Sequence, residues 1–150
     1  ILDLGCYPVS FFHLFKVEKK MKIIKSNRNL CETNVDIDGE IHLKLNDEID
    51  SIGKVSLRES LENNCKIYCE NAIITLPQPW LPSNKSFIEV ETKSRYYKRI
   101  IETEKNVYEH QIMASSNFFS KNNSNPNLLI GIDKSLEISE IIDIWKNNSN

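Results

Sequence analysis

The spacing of hydrophobic and polar positions changes twice along the chain. From residue 5 to about residue 16, apolar side chains recur at Tyr7, Phe11 and Leu14, with Phe12 and Phe15 beside them, the spacing of one helical face. Asp3 stands ahead of this run with a side chain suited to capping a helix, and Pro8 fits a first turn, where backbone N–H groups lack helical partners. Lys16 to Lys20 form a charged exit. The period then drops to two. Residues 21–24 and 35–37 are short strand candidates, and Ile41-His42-Leu43-Lys44-Leu45 alternates as a strand with one buried face does. Residues 52–58, 65–69, 72–76, 87–91 and 96–101 continue the series. They are separated by the turn clusters Asn46-Asp47-Glu48, Glu62-Asn63-Asn64 and Glu70-Asn71, and by the proline-punctuated loop 77–82. Consecutive strands with short connections predict an antiparallel meander. Helical spacing returns over 107–119 and 135–145, where Leu136, Ile138, Ile141, Ile142 and Trp145 form one stripe. Residues 120–127 between them are polar and asparagine-rich, which predicts a loop.

One helix, a sheet and two helices make an α+β fold. The length of 150 residues suits a single domain with a real core, and no break in the apolar pattern divides residues 1–150. The net charge of −2 comes from 19 basic and 21 acidic residues scattered together, so there is no basic field to hold nucleic acid or an anionic membrane. No apolar run approaches the roughly 20 residues of a membrane span, and no basic segment precedes Ile1-Leu2 as in a signal peptide. A cytoplasmic protein is expected. Cys6, Cys31, Cys65 and Cys69 have no paired metal-type spacing and read as buried, reduced thiols. His13, His42 and His110 have no partner at ligand spacing, so they read as surface or satisfied core histidines and no metal site is expected. Ser115-Ser116 lacks the context of a catalytic nucleophile.

The first residues, Asp3-Leu4-Gly5-Cys6-Tyr7-Pro8-Val9-Ser10, carry the chemistry. They resemble a motif of the glucose-fructose oxidoreductase/inositol dehydrogenase family of nicotinamide-dependent enzymes, in which an aspartate precedes a catalytic histidine or tyrosine by four residues. The element order also resembles that family's C-terminal domain, an open antiparallel β-sheet with helices packed on one face. Val35-Asp36, Pro79-Trp80, Tyr108 and Asp133-Lys134-Ser135-Leu136 fall where similar short stretches occur in the family. A tyrosine at position 7 is similar to the branch that includes the dimeric dihydrodiol dehydrogenases. The family's Glu-Lys-Pro motif and a Gly-x-Gly-x-x-Gly phosphate loop have no counterpart.

The resemblance implies that the chain is the C-terminal, substrate-binding and oligomerising part of an NAD- or NADP-dependent dehydrogenase. The N-terminal dinucleotide-binding domain is missing, and the cofactor-binding residues are unknown. The implied substrate is a sugar, polyol or related carbinol or carbonyl compound, and the implied partner is a second copy, paired through the sheet. Tyr7 is the implied proton donor or acceptor, with Asp3 orienting a hydroxyl. A tyrosine titrates at about pH 10 and so acts as an acid at neutral pH, or as a base beside a cation. By spacing alone, Asp3 fits a helix N-cap and Tyr7 a core aromatic. Trp80, in its rigid loop, has a ring suited to stacking on a sugar and equally to packing beneath the loop; Tyr108 is a further substrate-binding candidate. The alternative is a stand-alone, non-catalytic assembly module that retains the motif as a relic.

Overall fold

A computed structural model of the chain describes residues 1–16, 20–120 and 130–148. Most of the expected charged exit (residues 17–19) and of the expected loop (residues 121–127) lies outside these residues. The elements in order are α1 (Cys6–Phe12), β1 (Lys22–Leu30), β2 (Asp36–Lys44), β3 (Asp50–Ser56), β4 (Asn64–Tyr68), β5 (Ala72–Pro77), β6 (Lys85–Thr92), β7 (Tyr96–Glu102), α2 (Val107–Phe119) and α3 (Ile132–Asn148). The fold is α+β with antiparallel sheets, as the alternation predicts. Strands pair in sequence order but in two ladders, β1-β2-β3 and β4-β5-β6-β7, so the expected single meander is divided after β3. The chain correspondingly forms two compact units, Ile1–Leu61 with Ile130–Asn150, and Glu62–Leu129. Strands of both ladders alternate alike, so the sequence pattern carries no mark of the division.

The first unit holds the core. Ile41 and Leu43 of β2, with Leu45 just beyond it, are almost wholly buried, while the intervening Glu40, His42 and Lys44 are not, as period-two alternation requires. α1 closes this face with Pro8, Val9 and Phe12. α3 adds Ile138, Ile141, Ile142 and Trp145, an i, i+3, i+4, i+7 stripe. Each such side chain contributes about 1.5–3 kcal/mol when fully buried. Leu136, expected in the same stripe, is exposed. The opposite face of the sheet is polar and internally paired: Lys54 and His42 both bind the Glu40 carboxylate, and Arg58 binds Asp38.

The two strand candidates at 35–37 and 41–45 are one strand. It passes through Gly39, where an added Cβ would stand 2.9 Å from the Asn27 carbonyl and 3.2 Å from Trp145 Cζ2. The glycine that looks like a break in the sequence is thus the place where an indole lies on the sheet. β1 continues well past residue 24. A register shift between Ile23 and Lys25 ends the regular alternation there, although the ladder goes on.

The second unit contains no buried residue among those described. Ile67, Ile74, Ile88 and Val90 lie in register on one face of its sheet and are half-buried. α2 matches its expected bounds because its start is well specified. Asn106 accepts hydrogen bonds from the N–H groups of Tyr108 and Glu109, and the Glu109 carboxylate accepts one from the Asn106 N–H, a capping box. All four cysteines are free and none is buried, which corrects the expectation of core thiols. Cys65 and Cys69 fall in the unit that buries nothing, and Cys31 opens the turn between β1 and β2. Among the described residues no helix is long and apolar enough to cross a membrane.

Candidate active site

The motif at the start of the chain forms a turn leading into α1. The helix begins at Cys6, its N-cap is Gly5, and no side chain caps it; Asp3 is therefore not the cap that its position suggests. Backbone bonds hold the turn instead. Gly5 N–H donates to the Ile1 carbonyl at 2.7 Å, Tyr7 N–H to the Leu4 carbonyl at 3.3 Å, and the Cys6 thiol to the Asp3 carbonyl at 3.2 Å. Pro8, the third helical residue, has no N–H to satisfy. This arrangement leaves the Asp3 side chain exposed.

Tyr7 is 44 % exposed and outside the buried face of α1. Of the expected face, Tyr7 and Leu14 are exposed while Phe11 is partly buried against the core, and Pro8, Val9 and Phe12 are turned in. The run Tyr-Pro-Val-Ser-Phe-Phe-His-Leu-Phe is apolar nearly all round, so its period does not select a side. An exposed phenol can serve chemistry that a core aromatic cannot, since it is accessible from solvent.

Trp80 and Tyr108 belong to the second unit. Trp80 is partly buried in the loop after β5. A cavity of about 220 Å³ beside this loop is lined by Pro77, Gln78, Pro82, Ser83, Lys85, Ser86 and Phe87, not by Trp80. Tyr108 is exposed in the first turn of α2.

A cluster missed at the level of sequence joins the end of α1 to α3. Glu137 of α3 accepts a hydrogen bond from Lys16 Nζ through one oxygen and from the Met21 N–H, at 2.9 Å, through the other. His13, the C-cap of α1, has a side chain 5 % exposed; its Nε2, 3.6 Å from the Glu137 carboxylate, has no hydrogen-bond partner among the described residues. It is neither the surface histidine nor the satisfied core histidine expected. Its partner lies more than a hundred residues away, so no local spacing could have found it. Burial pushes the His13 imidazole below its usual range; Glu137 opposes this, while Lys16 and Lys134 add to it. Partial burial works to raise the Glu137 carboxyl, but the hydrogen bonds from Lys16 and Met21 hold it below its usual range. Among the described residues no group of three or more His, Cys, Asp or Glu side chains is placed to share a metal ion.

A pH dependence follows. With a folded-state pKa below the ordinary 6.5, His13 makes the unfolded chain bind more protons than the folded one as pH falls below that value. The stability that its neutral form permits is complete above about pH 6.5 and is lost on acidification, with a slope of at most about 1.4 kcal/mol per pH unit. The contribution of Glu137 is lost only lower, as pH falls through its own depressed pKa. Melting temperatures of parent and His13→Phe between pH 8 and pH 5 check this. The parent is expected to lose stability below pH 6.5 more steeply than the variant, and parallel curves would exclude His13 as the cause.

No family model matches the sequence, and no curated protein matches it. Solved structures match in fold. KijD10, a 3-ketoreductase from Actinomadura kijaniata in complex with TDP-benzene and NADP in an open conformation, superposes with a TM-score of 0.83 at 13 % identity, over 99 % of this chain and 46 % of that one. The same enzyme with NADP gives 0.82 and 13 %, over 99 % and 47 %. A mutant of it with tyrosine replaced by phenylalanine, in complex with TDP-benzene and NADP, gives 0.82 and 11 %, over 99 % and 45 %. The chain shares their fold. It spans about half the length of the ketoreductase chains it matches.

The residues present do not fit a nicotinamide dinucleotide. A pyrophosphate needs free N–H groups and close backbone approach at a helix N-terminus. At α1, the space beside Gly5 is already filled by the Ile1 carbonyl and Trp145. The first N–H groups of α2 are taken by its capping box, and the first turns of α2 and α3 carry Glu109 and Asp133, whose charge repels phosphate.

Proposed function

We propose that this chain supplies the substrate side of an NAD(P)-dependent oxidoreductase acting on a carbonyl or carbinol group of a sugar- or polyol-like molecule. One observation carries the reading: the Asp3–Tyr7 motif stands exposed at the start of α1, in a chain whose whole length takes the fold of a 3-ketoreductase crystallised with NADP. In the reduction direction the Tyr7 hydroxyl gives its proton to the carbonyl oxygen as negative charge develops there, leaving a phenolate, and in the oxidation direction that phenolate takes the proton from the carbinol. Asp3 accepts a hydrogen bond from a neighbouring substrate hydroxyl and so fixes which oxygen faces Tyr7. The dinucleotide is held by another part of the enzyme.

The test uses the complete gene product and the 150-residue chain in parallel. Calorimetric titration is expected to detect no micromolar binding of NAD or NADP by the 150 residues alone. The complete product is expected to consume reduced cofactor with at least one member of a panel of keto sugars. Micromolar nucleotide binding by the short chain, or an absence of turnover across the panel, would sink the proposal.

A further inference from the structure

We infer that Trp145, at the far end of the sequence, is the positioning residue of the Asp3–Tyr7 turn; this rests on the reading of Tyr7 as the proton carrier. The indole is fully buried, and its Nε1–H donates to the Asn27 carbonyl of β1 at 2.9 Å. Its benzo edge lies between two glycines. A Cβ at Gly5 would stand 3.0 Å from Cζ3, and one at Gly39 would stand 3.2 Å from Cζ2. The sheet thus fixes the ring, and the ring fixes Gly5 from behind. The same Cβ position would also stand 2.6 Å from the Ile1 carbonyl.

Gly5 has no room to move without moving the turn, because both its backbone groups belong to it. The N–H is bonded to Ile1, and the carbonyl accepts the Val9 N–H at 3.3 Å. Asp3 and Tyr7 flank this glycine by two residues on either side. A displacement of the indole therefore reaches both side chains through the backbone, and misplacement by about 1 Å is enough to cost roughly a hundredfold in rate.

The experiment keeps the complete gene product. Gly5→Ala sets a methyl against the indole and the Ile1 carbonyl. Trp145→Phe in the same chain lets the smaller ring retreat. Val9→Ala loosens the packing of α1 without touching the turn. Fluorine NMR of 3-fluorotyrosine-labelled protein reads position 7 without any turnover, with Tyr7→Phe assigning the signal. Gly5→Ala is expected to shift the Tyr7 resonance and to lower kcat about tenfold to a hundredfold at little-changed KM. Adding Trp145→Phe removes the indole's share of the crowding but not that of the Ile1 carbonyl, and so reverses part of the resonance shift and restores part of kcat, whereas Val9→Ala lowers the melting temperature and changes neither. A Tyr7 resonance unmoved in Gly5→Ala, no recovery of it on adding Trp145→Phe, or an equal loss of kcat in Val9→Ala overturns the inference; where the double variant does not fold, Trp145→Phe alone decides, by whether it moves the Tyr7 resonance. A shifted and rescued resonance in a parent with no turnover on any keto sugar supports the positioning and removes the functional reading instead.

Discussion

Tyr7→Phe is expected to cut turnover of the complete gene product about a hundredfold to ten-thousandfold, the range for loss of a positioned general acid or base. Its stability should change by no more than about 0.5 kcal/mol, as for other surface substitutions. The two expectations separate because Tyr7 is outside the buried face of α1: the substitution removes a hydroxyl while the packing of Pro8, Val9 and Phe12 stays intact. Asp3→Asn is the companion. Asn would preserve a cap, but Gly5 occupies the cap position, so a loss of turnover in Asp3→Asn reports on the carboxylate and not on helix capping. Steady-state kinetics at saturating cofactor, with melting curves on the same preparations, give the answer. Turnover of Tyr7→Phe within a factor of about three of the parent would take Tyr7 out of the chemistry.

The largest effect on stability is expected from Trp145→Ala, at about 3–5 kcal/mol, the cost of removing a fully buried large aromatic. That is a large part of the roughly 5–15 kcal/mol that holds a typical domain together. The cost has two sources at this site. The indole fills the space between α1, α3 and the sheet that Gly5 and Gly39 leave open, and neither glycine has a side chain to relax into the void. The Asn27 carbonyl also loses a donor, leaving an acceptor to find another partner. Denaturant titration should show a lower midpoint at unchanged slope, and a loss below about 1 kcal/mol would mean that the site collapses around the missing ring. Ile144→Ala, on the exposed side of the same helix, should cost far less.

Much of this fold was legible in the spacing of apolar residues, and the failures have local causes. Ile138, Ile141, Ile142 and Trp145 share one face of α3, so period and packing agree there, whereas Leu136, which the same period includes, is exposed. In α1 nearly every residue is apolar, and only the tertiary structure decides that Val9 goes in and Tyr7 stays out. The alternation marks β1 only as far as residue 24, where its bulge shifts the register, and breaks β2 at Gly39, which serves the indole rather than a turn. For the candidate site, Asp3 and Tyr7 are near neighbours in the chain and so are visible as a motif, while the residues packed against Gly5 and against the end of α1, Trp145 and Glu137, come from the opposite end of the sequence. A single sequence has no means of displaying pairs so far apart. The division into two units was equally hidden, since it depends on which strand fails to pair with the next.

The return of α3 to the first unit has a consequence on the ribosome. The half-built core, with Ile41, Leu43 and Leu45 on an open sheet face, emerges first, and the entire second unit is synthesised before the helix that covers it. At roughly 5–20 residues per second the interval is on the order of ten seconds, far longer than hydrophobic collapse takes. During that time the nascent chain presents adhesive surface to its neighbours, and a message broken before the codons of α3 would yield a product that never closes. Closure of this core is thus concentrated in α3.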